Sequence, residues 1–308
     1  MHASTRWPLQ RALRSTAGIR QRSVSRLTDG RWRMPDADDR ASFDLVLVGY
    51  RPADTRSAVR FCDRTFRPGS RGRKLLVLNS PPTLHDQDLA EGWQTLRGSN
   101  TLAEFSGWQE GLEHLHADGL PPGEVLFVND TVCTHRHFSI FRAWAFERAR
   151  RRALPARLVA FRDSVPGRSL SIAGFPLDGW ASTYCFALSA EALRRLEGRL
   201  YDSARLVACV PGGISEDGFF RSLSPDLEAH LRHWLFDGAW YGGARLDDEN
   251  QGRLTLKARC IVAELLLSAR CAARGIEAID PFREHPWLER ADRLERRVVR
   301  EWQRLVRR

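Results

Sequence analysis

Short apolar runs alternate with amphipathic stretches along most of the chain. "FDLVLVGY" (43–50), "KLLVLN" (74–79), "VLFVND" (125–130), "RLVAF" (157–161) and "STYCFALS" (182–189) are nearly continuous in apolar residues. Strands buried on both faces of a sheet read this way. "RLVACV" (205–210) reads as a sixth strand. Between these runs lie helix-length stretches at Ala53–Phe66, around 101–116, at His137–Arg152 and in "AEALRRLEGRL". In the second, Leu102, Phe105, Trp108, Leu112 and Leu115 fall three or four residues apart on one helical face. In the third, Phe138, Phe141, Ala145 and Phe146 are assigned to the inner face.

Strands alternating with helices predict βαβ units: an α/β fold with a mainly parallel central sheet flanked by helices. Past residue 250 the pattern turns helical. "LKARCIVAELLLSARCAARG" (256–275) is one long helix closed by Gly275. The last segment sets Trp287, Ala291, Leu294, Val298, Trp302 and Leu305 on one stripe among arginines. That stripe is assigned to packing on the body, with a helix lying in a membrane interface as the alternative. Three regions follow: a basic N-terminal arm (1–41), a sheet-containing domain (42–250) and a helical C-terminal extension (251–308).

Charge sharpens this division. Of 308 residues, 48 are Lys or Arg, and only Lys74 and Lys257 are Lys. Residues 1–33 carry eight Arg and one Asp, and residues 282–308 carry nine Arg against five acids. With a net charge of +10, the body between is close to neutral. Basic ends suit an anionic membrane surface, nucleic acid or an acidic partner. The arms lack interleaved aromatics and no nucleic-acid-binding module is present, so nucleic acid is the less favoured partner. A non-catalytic polyanion-binding α/β protein stays as the alternative to an enzyme.

The start of the chain lacks the apolar stretch of a secretory signal, and its Arg- and Ser-rich composition is similar to an organelle transit peptide. No apolar run is long enough to span a bilayer. The six cysteines are scattered without a C-x-x-C pair, which favours reduced thiols and a cytoplasmic protein.

Ligands of open α/β sheets bind beyond the carboxyl ends of the strands. Three predicted strands end in Gly49–Tyr50, Asn79–Ser80 and Asn129–Asp130–Thr131. A carboxylate at Asp130 can hold Mg²⁺ or Mn²⁺, with substrate phosphates and water completing the shell. Cys133, His135 and His137 alternate but lack zinc-site spacing, and are assigned to a polar loop. "HWLFDGAWYGG" offers aromatic rings that pack a core or stack on a sugar. Signatures of P-loop NTPases, α/β-hydrolases, zincin proteases and dinucleotide-binding folds are absent.

The order of "FDLVLVGY", "KLLVLNSP", "GSNTLAEFSGWQEGL", "VLFVNDTV" and "GWASTYCFALSAEALRRL" resembles the nucleotide-sugar glycosyltransferases of GT-A fold, in particular a family-2-like, rhamnan-synthesis-type group. The resemblance covers about residues 43–240. It implies a GT-A-like fold and transfer from a nucleotide-diphosphate sugar to a cell-surface glycan or lipid-linked acceptor. It also implies inversion, and an enzyme that is cytoplasmic or peripheral at the inner membrane. Carried over, Gly49, Tyr50, Asn79, Asn100 and Asn129 would bind the nucleotide sugar and Asp130 the metal. The family's Asp-x-Asp is reduced here to one carboxylate. This departure opens a metal-free reading, with Arg clamping the diphosphate, and a degenerate transferase that has lost the chemistry. The general base would be Asp217, or Glu216 beside it, on a loop after Gly212–Gly213. Asp226 is the second choice, and as a helix N-cap it has a competing structural role.

Overall fold

A computed structural model describes residues 42–66, 68, 72–80, 92–117, 119, 123–133, 138–165, 167–168, 170–212, 218–236 and 246–306, without the side chains of 300 and 302–306. The basic arm, residues 1–41, lies outside the described residues.

Seven strands form one sheet: β1 (Phe43–Gly49), β2 (Lys74–Leu78), β3 (Gln94–Arg97), β4 (Glu124–Asn129), β5 (Arg157–Asp163), β8 (Trp180–Leu188) and β9 (Glu277–Ile279). β6 (Leu170–Ile172) and β7 (Phe175–Leu177) pair in a separate hairpin. The sheet order is β3-β2-β1-β4-β8-β5-β9. All neighbours are parallel except β8, which runs antiparallel to both β4 and β5. The expected α/β fold, a mainly parallel sheet with helices on both faces and a helical C-terminal region, is therefore met.

Every residue of β1 and β8 is buried, as the unbroken apolar runs require of central strands. Side chains alternate between two cores. Val46, Val48, Val77 and Phe127 face one side, covered by α2 (Ala103–Leu115) and α7 (Gln251–Ala273). Leu45, Leu47, Leu76 and Val128 face the other, covered by α1 (Pro52–Thr65) and α3 (Ile140–Arg150). The predicted α2 stripe is buried at all five positions, and Trp108 Nε1 donates to Val128 O at 3.0 Å. Two glycines let α2 sit close: a Cβ at Gly107 or Gly111 would lie 2.9 Å or 2.5 Å from valine methyls of β1. Of the residues assigned to the inner face of the third helix, Phe138, which lies just before α3, is buried, as are Ala145 and Phe146, and Phe141 is half-buried.

Three assignments change. "RLVACV" is helix α5 (Ser203–Cys209), not a strand; Asp202 caps it by accepting from Arg205 N at 3.1 Å. α4 (Ala190–Arg195) and α6 (Pro225–Phe236) flank it in sequence. The boundary at 250/251 is not a structural one, because α7 supplies core side chains and β9 extends the sheet. The third change concerns the last helix, α9 (Pro286–Val306), which follows the single-turn α8 (Pro281–Glu284). α9 docks through Leu288 and Asp292, both fully buried, while Trp287, Leu294 and Val298 face outward. Of the stripe assigned to packing, these three are therefore exposed and Ala291 is half-buried, while the side chains of Trp302 and Leu305 lie outside the described residues.

Candidate functional site

After β1 the chain builds β2 and β3 on one side, then returns to add β4 on the other, so the strand order reverses between β1 and β4. The crevice beyond the carboxyl ends of these two strands is where an open α/β sheet admits a ligand. Tyr50 and Arg51 follow β1, Asn79 follows β2, and Asn129–Asp130–Thr131 close β4 in a 3-10 turn.

Asp130 does not stand exposed at the mouth of this crevice. It is 2% exposed, and its Oδ2 accepts from Tyr50 N (2.7 Å), Arg51 N (3.2 Å) and Thr55 Oγ1 (3.3 Å). The carboxylate thus ties the end of β4 to the entrance of α1, whose own N-cap residue, Arg51, offers no side-chain cap. Burial raises its pKa, and the two backbone N–H donors pull it back part of the way. Asn129 is also occupied, its Oδ1 accepting from Thr131 N and Thr131 Oγ1. Gly49 is where Thr55 needs room, since a Cβ there would sit 2.4 Å from Thr55 Oγ1.

Asn79 is buried in a slot between β3 and α2. Its Nδ2 donates to Ala103 O at 2.8 Å and lies 3.4 Å from the Tyr50 hydroxyl, while its Oδ1 has no partner. Gly98 keeps the slot open: a Cβ there would be 2.0 Å from Asn79 Oδ1. The turn from Gly98 into α2 places two non-glycine residues in the left-handed region, Asn100 (φ 56°) and Ala103 (φ 46°). Such strain persists only where neighbours enforce it. Ser99 does so by donating its N–H and hydroxyl to Glu110. Asn100 itself is exposed at the rim.

Acidic groups line the far side of the crevice. Glu264, on α7, is half-buried and accepts on Oε2 from both Thr183 N (3.0 Å) and Thr183 Oγ1 of β8. Burial pushes its pKa up to about 7; the Thr183 bonds oppose that shift, and the neighbouring Asp163 and Glu104 add to it. Glu104 also acts on Tyr50, whose pKa burial and this carboxylate both raise. The Tyr50 hydroxyl is 3.4 Å from Glu104 Oε2, so the strand ends and the acidic side form one electrostatic neighbourhood. Beside Thr183 on β8, Ser182 donates to Asp163 Oδ2 at 3.0 Å. These two residues line a cavity of about 490 Å³ at the carboxyl ends of β5 and β9, with Arg142, Tyr184, Asp280 and Phe282 among its walls.

The described residues do not by themselves assemble a divalent-cation site. One carboxylate stands where the family pattern has two, and its Oδ2 already accepts three hydrogen bonds. Among the described residues no group of three His, Cys, Asp or Glu side chains could hold a metal.

Glu216 and Asp217 lie outside the described residues, as do His135, His137 and the end of the Trp-rich stretch. Asp226 sits in the first turn of α6 rather than capping it, and pairs with Arg168 on the loop before β6. Sequence reasoning passed over Glu264, Glu104 and Thr183. Glu264 carried a legible signal: it is the lone charge in "CIVAELLLSA", a helical run otherwise apolar or small.

No protein-family model matches the chain, and no curated protein is similar to it at a significant level. Among solved structures it is similar to the mannosyltransferase PcManGT from Pyrobaculum calidifontis in complex with GDP-Man and Mn²⁺, at 12% identity over 86% of this chain and 83% of that one, with a TM-score of 0.36. It is similar at 12% identity to a chain of the Euglena gracilis mitochondrial ATP synthase, over 96% of this chain and 84% of that one, with a TM-score of 0.23. Neither likeness is strong enough to fix a shared fold or function; the fold rests on the strand order.

Proposed function

We propose that the chain is a glycosyltransferase that uses a nucleotide-diphosphate sugar, with the donor in the β1/β4 crevice and Glu264 as the proton acceptor. The observation that carries this reading is Glu264 itself, a carboxyl with a pKa near neutrality held by Thr183 on β8, one strand from the point where the sheet order reverses. A GT-A-like fold adds only analogy.

In this scheme Asn79 Oδ1, buried without a partner, accepts an N–H of the nucleobase. Tyr50 and the strained Asn100 turn border the ribose and diphosphate. Arg51, whose side chain is largely exposed at the end of β1, supplies the positive charge that a metal supplies elsewhere. At neutral pH a large fraction of Glu264 is ionised. It takes the proton of an acceptor hydroxyl as that oxygen attacks the anomeric carbon; the bond from that carbon to the diphosphate oxygen breaks, and the diphosphate leaves with the electron pair. Attack opposite the leaving group inverts the centre. Asp217 and Glu216 remain candidates as a second acid near the acceptor.

Thermal denaturation with UDP, GDP or dTDP, with and without Mn²⁺, tests the donor site. One of the three should raise Tm, and Arg51→Ala should diminish the rise. No shift with any of them would remove the reading.

A further inference from the structure

α9 is an amphipathic helix mounted the wrong way round for a purely internal role. Its anchor is polar: Asp292, fully buried, accepts from Ser139 Oγ (2.7 Å) and Arg142 Nε (3.2 Å) and pairs with Arg296 (2.7 Å). Its apolar stripe points away from the body, with Trp287 52%, Leu294 62% and Val298 60% exposed. The stripe continues onto α3. Trp144 packs edge-on against Trp287 with ring centroids 5.3 Å apart, and Ile140, one turn earlier, is 49% exposed. Five large apolar side chains on two adjacent helices therefore form one surface that nothing among the described residues covers. Such a patch marks an interaction site.

Charge identifies the occupant. Arg148, Arg290, Arg293 and Arg297 are exposed on the same two helices. A second copy would bring like charges together, and so would the chain's own arm, with eight Arg and one Asp in residues 1–33. An anionic bilayer does the reverse: it takes apolar side chains into the headgroup boundary and pairs guanidinium groups with phosphates. Two tryptophans at the centre match the preference of indole rings for that boundary. No helix among the described residues is long and apolar enough to cross a membrane, so the contact is with its surface. We infer that the α3–α9 face, through Ile140, Trp144, Trp287, Leu294 and Val298, docks the protein on an anionic lipid surface.

Cosedimentation of the full-length protein with vesicles tests this. Phosphatidylcholine vesicles are compared with vesicles of phosphatidylcholine and phosphatidylglycerol in a two-to-one ratio. The protein should sediment with the mixed vesicles and little with phosphatidylcholine alone. The variant carrying Trp287→Ser, Leu294→Ser and Val298→Ser should keep its Tm and lose binding about tenfold or more. Arg290→Gln with Arg293→Gln and Arg297→Gln should weaken binding to the mixed vesicles only. Undiminished binding of the triple-serine variant would overturn the inference by assigning the contact to the basic arm. Equal binding to both vesicle types, no binding to either, or a dimer that the serine variant converts to monomer would overturn it as well.

Discussion

Glu264→Gln separates an electrostatic role from a packing role. The amide keeps the shape of the side chain, and its oxygen can still accept from Thr183 N and Thr183 Oγ1. What it removes is the ionisation. In the folded chain Glu264 titrates near 7, against 4.5 for an ordinary Glu. At 1.36 kcal/mol per pKa unit, ionised Glu264 destabilises the fold by about 3 kcal/mol relative to the unfolded chain. Below the unfolded pKa both states are protonated and there is no penalty. As pH rises the unfolded chain ionises first, so stability drains away until the folded carboxyl has ionised as well, and then levels off. The variant lacks this loss. Urea unfolding at a series of pH values should show the two proteins alike near pH 4.5. The Gln variant should then gain steadily, up to about 3 kcal/mol by pH 8. A constant difference across that range would refute the raised pKa, and with it the basis for Glu264 as proton acceptor.

Three other outcomes follow from named contacts. Asp130→Ala leaves the N–H groups of Tyr50 and Arg51 and the Thr55 hydroxyl without their acceptor, and should cost about 2–4 kcal/mol in chemical denaturation. Asp130→Asn should cost much less and retain nucleotide binding, whereas a metal-ligand role would cost it any Mn²⁺-dependent binding. Asp292→Ala leaves the half-buried Arg142 without its carboxylate, and a loss of about 3 kcal/mol is expected, with early proteolysis within α9.

The sheet was legible where strands are buried on both faces, as in β1, β2, β4, β5 and β8, because unbroken apolar runs admit few other readings. β3 was missed: "QTLR" is mostly exposed at the sheet edge and has no apolar run. β6, β7 and β9 have three residues each, too short for a period. "RLVACV" misled because both periods fit it. Leu206 and Cys209 lie inside while Val207 is 49% exposed, which is helical spacing. The direction of β8 comes from long-range pairing and has no local signature. At the site, Asn79 was recognisable as a polar strand end. The use of Asp130 as a brace for α1 depends on where the β1–α1 turn lies, which local pattern does not report. The outward stripe of α9 was visible as a stripe; its orientation is set by one buried carboxylate, Asp292, that reads in sequence as a surface residue.

The most direct test of sugar transfer at this site is release of nucleoside diphosphate from UDP-, GDP- and dTDP-sugars by the wild type and by Glu264→Gln. The wild type should release nucleoside diphosphate from one donor class, faster when glycan acceptor is added, with a rate that climbs through pH 7 as Glu264 ionises. The Gln variant should bind that donor yet turn it over at least about a hundredfold more slowly. Equal turnover by the two proteins, or none from any donor by the wild type, would contradict the account.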